Sequence, residues 1–195
     1  MKLNMYLLAL LGGAVMLGGA PAQAQTGWTQ SGVAFDQRSG WCATHTLQEG
    51  LPAMEARPCG SEFPYMSVAV AAPAEKAPNL NLAAALAAAA NQAEEPADRA
   101  NVLKLATDKY GACTTVSYSV DRAPISGVVG FAVLAQFTCP AAPGDPRVNY
   151  RNFTSLVRQP NGAIWALAFD YPTDPLSAQD IAMLRAAIGH IASAP

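Results

Sequence analysis

The chain has 195 residues, a formal net charge of −2 and 13% charged side chains, well below the ~25% typical of soluble domains. Its 12 Lys and Arg residues against 14 Asp and Glu residues give no basic footprint, which excludes nucleic acid as an expected partner. Alanine supplies much of the 51% apolar content and buries little area, so the core must depend on the larger apolar side chains.

Residues 1–24 have the pattern of an export signal. Lys2 provides the positive charge, an apolar stretch extends to Leu17, and Ala22-Gln23-Ala24 fits the small-x-small cleavage rule. We expect cleavage after Ala24, leaving residues 25–195 as one domain in the periplasm or outside a Gram-negative cell. The alternative is an uncleaved membrane anchor, which the short apolar core and its glycines disfavour. No cysteine lies beside the cleavage site, so a lipid anchor is not expected.

Four cysteines follow the leader, at Cys42, Cys59, Cys113 and Cys139. In an exported chain they allow three disulfide connectivities, and spacing favours pairing of neighbours. A hairpin centred near residues 126–127 would place Cys113 opposite Cys139, whereas a shift of one residue would match the apolar faces better. A β-bulge would satisfy both demands.

The first third of the mature chain predicts strands. Val33–Phe35, Trp41–Leu47 and Phe63–Ala72 are the candidates, and the cysteine-bounded segment from Cys42 to Cys59 fits a strand-loop-strand unit.

Two helices are predicted next. Leu80–Glu94 is dominated by alanine and leucine, the residues with the strongest helix propensity, and its small side chains favour close packing on a sheet. Ala97–Asp108 follows, with Pro96 suited to a first helical turn and Gly111 ending the helix.

An antiparallel meander is predicted after the helices. Thr114–Val120 alternates polar and apolar residues as a half-buried strand does, and Val128–Thr138 is apolar on both faces, which indicates a central strand. Val148–Arg158 is the third strand of this meander.

The segment Gln159-Pro160-Asn161-Gly162 is the clearest local signal. Asn-Gly favours a two-residue hairpin turn, which would pair Leu156 with Leu167 and Thr154 with Phe169. Trp165, Leu167, Phe169 and Tyr171 would then share one face of the sheet.

A capped helix closes the chain. Ser177 and Asp180 form a Ser-x-x-Asp cap, and the apolar residues that follow at helical spacing should dock on the sheet. These residues are Ile181, Leu184, Ile188 and Ile191. The overall prediction is an α+β fold, in which an antiparallel meander packs against an Ala-rich helix and a C-terminal amphipathic helix and is stapled by two disulfides.

The run Val148–Arg158, the turn 159–162, the strand Ile164–Phe169 and the helix Ser177–Ile191 together carry a resemblance. Their order, after a first helix, resembles the PsbP-like α/β/α sandwich, including periplasmic proteins of the DcrB type, over roughly residues 80–191. The resemblance implies a non-enzymatic binding or assembly role and transfers no site residue. The four cysteines are not part of that pattern.

Candidate catalytic and metal residues are few. Cys42 and His45 form a lone Cys-x-x-His, and the chain has only two histidines, too few for a typical zinc site. His190 fits the negative end of the last helix. Asp145 and Asp170 do not form a recognisable carboxylate pair. No nucleophile elbow, P-loop or dinucleotide motif is present, so no catalytic residue, cofactor or metal is predicted.

Aromatic residues provide the remaining candidates. Trp165, Phe169 and Tyr171 could line a ligand groove, but core packing explains them better. Trp28 and Trp41 stand in a polar segment and are candidate interface residues. The sequence therefore favours an exported, non-enzymatic binding or envelope-assembly protein, with an envelope protein as partner. The alternative is a small hydrolase or ligand-modifying enzyme that uses His45 or scattered carboxylates.

Overall fold

A computed structural model describes residues 27–30, 33–36, 41–48, 51–61, 64–172 and 175–193, and the predicted leader lies outside these ranges. The described residues form three α-helices and nine strands. The helices are α1 (Leu82–Ala93), α2 (Pro96–Tyr110) and α3 (Ala178–Ser193). The strands are β1 (Gly27–Gln30), β2 (Val33–Asp36), β3 (Trp41–Gln48), β4 (Leu51–Pro58), β5 (Tyr65–Ala72), β6 (Thr114–Asp121), β7 (Phe131–Thr138), β8 (Arg147–Arg158) and β9 (Ile164–Asp170).

Seven of these strands form one antiparallel sheet in the order β3-β4-β5-β9-β8-β7-β6, while β1 and β2 pair as a separate hairpin. The sheet consists of two meanders, β3–β5 and β6–β9, which are joined because β5 pairs with β9. The predicted α+β fold is confirmed. The strand predicted at Val128–Thr138 forms as β7, an interior strand that pairs with β6 on one side and β8 on the other, while β9 occupies the middle of the order.

Two disulfides staple the sheet, and both join neighbouring cysteines as predicted. Cys42 is bonded to Cys59 across the β3–β4 hairpin, with 5.0 Å between their Cα atoms. Cys113 is bonded to Cys139 at the open end of the β6–β7 pair, with 4.3 Å between their Cα atoms. Such bonds form and persist in oxidising compartments, so they indicate an extracytoplasmic environment. Within the described ranges, no helix has the length and apolar character needed to span a membrane.

The β6–β7 pair contains the predicted bulge. Thr114 lies opposite Thr138, which places Cys113 beside Cys139, but the register shifts by one residue between Thr115 and Ser117. Val116 occupies the bulge and is 58% exposed. Beyond it, Val120 lies opposite Val133, so the apolar residues of the two strands share a face. One extra residue therefore reconciles the disulfide with the packing of the sheet.

The β8–β9 turn differs from the prediction by one residue. Gly162 donates its backbone N–H to the carbonyl of Gln159 at 2.9 Å, and Gln159 donates to Ala163 at 2.8 Å. Pro160, Asn161 and Gly162 thus form a three-residue loop, with Gly162 at a φ of 93°. This is a type I turn closed by a left-handed glycine, not a two-residue turn. The predicted pairing was wrong, since Leu156 lies opposite Ala166 and Thr154 opposite Ala168.

The sheet is covered on both faces. Helix α3 packs on the face that carries the β9 aromatic side chains, and Leu184 and Ile191 are buried there as predicted. Its predicted cap is present, since Asp180 donates its backbone N–H to Ser177 Oγ at 3.1 Å. Helix α1 packs on the opposite face through small side chains that include Ala85, Ala90 and Ala93, and α2 covers the same face near β6 and β7.

Candidate functional site

The residues that the sequence singled out lie on several different elements of the structure. Trp28 is on β1, and Trp41 and His45 are on β3, but the side chains of all three lie outside what the structure describes. His190 lies in the last turn of α3. No candidate catalytic pair is brought together by these positions, and the interface role of Trp28 and Trp41 stays a prediction.

The aromatic set of β9 belongs to the core. Trp165 and Phe169 are almost fully buried, and Tyr171 follows them beneath α3. The Trp165 indole donates to Gln159 Oε1 at 2.7 Å, which satisfies its polar group. These side chains hold α3 on the sheet and do not line a groove.

Asp145 and Asp170 have different environments. Asp145 is exposed in the loop before β8 and forms an ion pair with Arg147, 2.8 Å between Oδ2 and Nη2. Hydrogen bonds from Arg147 hold the pKa of Asp145 below its usual range. Asp170 is the last residue of β9, in the middle of the sheet, and is only partly exposed. The candidate functional site consists of Asp170 and the residues around it.

A row of directly opposed residues crosses five strands on the α1 face. Val120 lies opposite Val133, Val133 opposite Asn152, Asn152 opposite Asp170, and Asp170 opposite Tyr65. Directly opposed side chains share a face, with Cβ atoms about 4.5–5.5 Å apart. The row is apolar where α1 packs on the valines and becomes polar from Asn152 onward. A carboxyl group is thereby placed between an amide and a phenol.

A chain of two hydrogen bonds ends at Asp170, with each residue donating to the next. Thr154 Oγ1 donates to Asn152 Oδ1 at 3.0 Å, and Asn152 Nδ2 donates to Asp170 Oδ1 at 2.7 Å. Thr154 and Asn152 are both buried, at 1% and 3% exposure, so this chain is fixed by the packed part of the sheet. Across the described residues, no hydrogen bond reaches the second carboxyl oxygen, Oδ2. One carboxyl oxygen is therefore held and the other is available.

Burial changes the ionisation of the row. Loss of hydration raises the pKa of Asp170 to about 6, and the hydrogen bond from Asn152 opposes that rise. Burial is also the main reason that the pKa of Tyr65 is raised, with further contributions from the charge and hydrogen bond of Glu55 and from Asp170. The pKa of Tyr150 is raised by burial first and then by Asp170 and Tyr118. Both phenols consequently stay neutral while Asp170 ionises near neutral pH.

A second row of opposed residues forms the floor beside Asp170. Thr154 lies opposite Ala168, Ala168 opposite Ser67, and Ser67 opposite Glu55. Ala168 and Ser67 have short side chains, whereas the neighbouring Tyr65 and Glu55 are long; Ser67 is partly exposed and Ala168 is buried at 4% exposure. Tyr150 stands two residues before Asn152 on the same face, diagonal to Asp170 at ~7–8 Å between backbones.

We call these residues the Asp170 site. It comprises Glu55, Tyr65, Ser67, Tyr150, Asn152, Thr154, Ala168 and Asp170. In the described part of the chain, Lys104, Arg122 and Arg147 form salt bridges, and none of them involves Asp170 or Glu55. Among the residues that the structure describes, neither carboxyl group of the site is therefore in a salt bridge. The positive charge of Arg57 lowers the pKa of Tyr65, against the larger effect of burial, which raises it.

Comparison with known proteins identifies no relative of this chain. No family model, no curated protein and no solved structure matches the chain. The chemistry of the Asp170 site therefore rests on its geometry.

That geometry does not suit a chelated metal ion. No group of three His, Cys, Asp or Glu side chains converges among the described residues. Glu55 is on β4, two strands away from Asp170 on β9, which corresponds to ~10 Å across the sheet. One available carboxylate oxygen, flanked by neutral phenols and a fixed amide, is instead suited to recognising a polar or positively charged group.

Sequence reasoning missed this site because of the turn. With a two-residue turn, Asp170 would lie opposite Phe153 on the α3 face, whereas the three-residue loop places it opposite Asn152. A signal was present in the alternation Tyr150-x-Asn152-x-Thr154, in which polar residues occupy every second position of a strand.

Proposed function

We propose that the protein is an exported, non-enzymatic binding protein that acts in the periplasm or cell envelope and recognises its ligand or partner at the Asp170 site. The observation that carries the proposal is Asp170 itself. Its Oδ1 is fixed by Asn152 at 2.7 Å, its Oδ2 has no hydrogen bond among the described residues, and it has no counter-ion there. Isolated buried charge is costly, so a carboxyl group in this state is suited to a partner that supplies the missing interaction.

The surroundings of Asp170 support binding in a fixed geometry. Asn152 and Thr154 lie on β8, Asp170 on β9 and Tyr65 on β5, and these three strands are adjacent in the middle of the sheet. Side chains on central strands are held more precisely than side chains on loops. The two disulfides staple the hairpins on either side of these strands.

Photo-crosslinking in intact cells tests the proposal. Ser67 would be replaced by a photo-crosslinking amino acid, because it lies on the floor of the site beside Ala168. Val116, exposed in the β6 bulge, is the matched control position. We expect an adduct of defined mass from position 67, reduced by Asp170→Asn, and none from position 116. Recovery of the protein alone from position 67 under several growth conditions would contradict the proposal.

One observation favours a second candidate, a ligand-modifying enzyme. A carboxyl group with a pKa of about 6 can donate or accept a proton near neutral pH. If Asp170 performs that role, Asp170→Asn should abolish any activity found in a hydrolase screen, while His45→Ala should leave it intact. The reverse pattern would support His45, the candidate taken from the sequence, and would remove Asp170 from the chemistry.

A further inference from the structure

We propose that the Asp170 site binds an organic ammonium group, with Asp170 Oδ2 as the anionic acceptor and the rings of Tyr65 and Tyr150 as its aromatic walls. The proposal rests on the proposed binding function and names the chemical class of the ligand. It follows from three features of the site: the position of the charge, the position of the aromatic rings, and the set of carboxyl groups.

The first feature is an anion without a counter-ion. Among the described residues, the salt bridges join Lys104 to Asp108, Arg122 to Glu94 and Arg147 to Asp145, all on the periphery. Asp170 is partly exposed in the middle of the sheet and accepts one hydrogen bond, from a neutral amide. A ligand that binds here is therefore favoured if it is positively charged.

The second feature is the pair of phenol rings around that anion. Tyr65 lies directly opposite Asp170, and Tyr150 lies on the diagonal from the other side. Aromatic rings attract cations through the negative potential of their faces, and a carboxylate flanked by such rings is an established way of recognising alkylammonium groups. Both phenols stay neutral, because burial raises the pKa of each. The rings consequently act as walls and do not compete as charged groups.

The third feature is the set of carboxyl groups, which does not suit a divalent metal ion. A divalent metal ion requires several oxygen ligands within about 2–2.6 Å, but among the described residues no third His, Cys, Asp or Glu side chain joins Glu55 and Asp170 in a group that could hold one. An organic ammonium needs one carboxylate and an apolar wall, which this site provides. Ser67, which is short and partly exposed, marks the side of Asp170 on which its alkyl substituents would lie.

Titration of the purified protein with tetramethylammonium chloride and with methylammonium chloride, followed by NMR, tests the proposal. Sodium chloride at matched concentration controls for ionic strength, and tert-butanol controls for shape without charge. We expect saturable shifts at residues 65, 67, 150 and 170, with a Kd on the order of 10 mM because such small probes make few contacts. Tighter binding of tetramethylammonium would indicate a ligand with a quaternary ammonium group, and tighter binding of methylammonium would indicate a primary amine.

Asp170→Asn keeps the shape of the side chain and removes its charge. We expect it to weaken ammonium binding at least ~10-fold, whereas Asp121→Asn, on the exposed part of β6, should change it less than ~2-fold. A second readout uses the unaltered protein, whose affinity should fall as pH drops below about 6. The other ionisable groups near Asp170 are Glu55, Arg57 and three phenols, Tyr65, Tyr118 and Tyr150. Burial raises the pKa of each phenol, so none of the three loses its proton in that range.

No saturable shift with either ammonium salt, or equal binding by Asp170→Asn, would overturn the ammonium inference. If ammonium fails to bind while position 67 still gives a specific adduct in cells, the binding function stands and its ligand belongs to another chemical class. If ammonium binds but no adduct forms in cells, the inference stands and the proposed cellular function fails.

Discussion

The two faces of strand β9 differ in what their side chains do. On the face toward α3, Trp165, Leu167 and Phe169 are all at most 1% exposed, and each packs into one apolar cluster. On the opposite face, Ile164 and Ala166 are buried beneath α1, but the strand ends in a partly exposed carboxyl group. The first face is explained by stability alone. The second becomes polar toward Asp170, and its role in the proposed binding function is what the following predictions test.

The largest expected effect is on the α3 face. Phe169→Ala should lower the free energy of unfolding by about 3–5 kcal/mol, because it removes a fully buried ring and leaves a cavity. Urea denaturation would measure the loss. Val129→Ala is the control, since Val129 is 66% exposed and should change stability by less than ~0.5 kcal/mol. A loss below ~1 kcal/mol for Phe169→Ala would mean that this face is not the main core.

The next effect tests how tightly the β7–β8 pair is packed. A Cβ on Gly130 would meet the ring of Phe153 and come within 2.6 Å of the Thr154 carbonyl oxygen. Gly130→Ala should therefore cost about 1–3 kcal/mol, since the backbone cannot move away. Gly189→Ala, in α3 with open space around the new methyl group, should instead stabilise the protein by ~0.5–1 kcal/mol. Equal effects of the two substitutions in thermal denaturation would contradict this packing.

Asp170→Asn tests the opposite face. The pKa of Asp170 is about 6 in the folded protein, compared with ~3.9 unfolded, so the folded state binds the proton more tightly. Stability from this group is complete below pH ~4 and is lost as pH rises to about 6. Relative to Asp170→Asn, the unaltered protein should thus lose on the order of 2 kcal/mol across that range. The check is urea denaturation at several pH values, with Asp121→Asn as control. A flat difference would show that Asp170 is not desolvated.

The smallest effect concerns the hydrogen-bond chain that positions Asp170. Thr154→Val removes the hydroxyl that donates to Asn152 Oδ1 and should cost about 1 kcal/mol. Thr114→Val, at an exposed position of β6, should cost less than ~0.5 kcal/mol. If Thr154 positions the Asn152 amide for its hydrogen bond to Asp170, the substitution should weaken that bond and raise the pKa of Asp170. NMR chemical shifts of the carboxyl group would record the change. An unchanged pKa would indicate that Thr154 supports stability only.

The sequence predicted the elements better than the site, for a physical reason. Helices and caps depend on neighbours within a few residues, so the Ala-rich helix and the Ser177–Asp180 cap were recognised directly. The two disulfides followed from compartment and spacing. The β6–β7 bulge was foreseen because the disulfide and the apolar pattern demanded different registers.

The Asp170 site required contacts that span the chain. Tyr65, Asn152 and Asp170 come from three strands, and Tyr65 precedes Asp170 by two helices and three strands. Their meeting depends on the β5–β9 pairing, which no local pattern specifies, and on the length of the loop after Gln159. A difference of one residue in that loop changes which residues of β8 lie opposite β9, so the aromatic stripe was recognisable from the sequence while the partners of Asp170 were not.

The most direct test of the account follows the carboxyl carbon of Asp170 by NMR during a pH titration, with and without tetramethylammonium chloride. We predict a midpoint near pH 6 for the free protein and a lower midpoint with the ammonium salt, because a bound cation favours the carboxylate. Sodium chloride at the same concentration should leave the midpoint unchanged. A midpoint near 4 in the free protein, or one that ignores the ammonium salt, would contradict the claim that Asp170 is a desolvated, unpaired carboxyl group held for a cationic ligand.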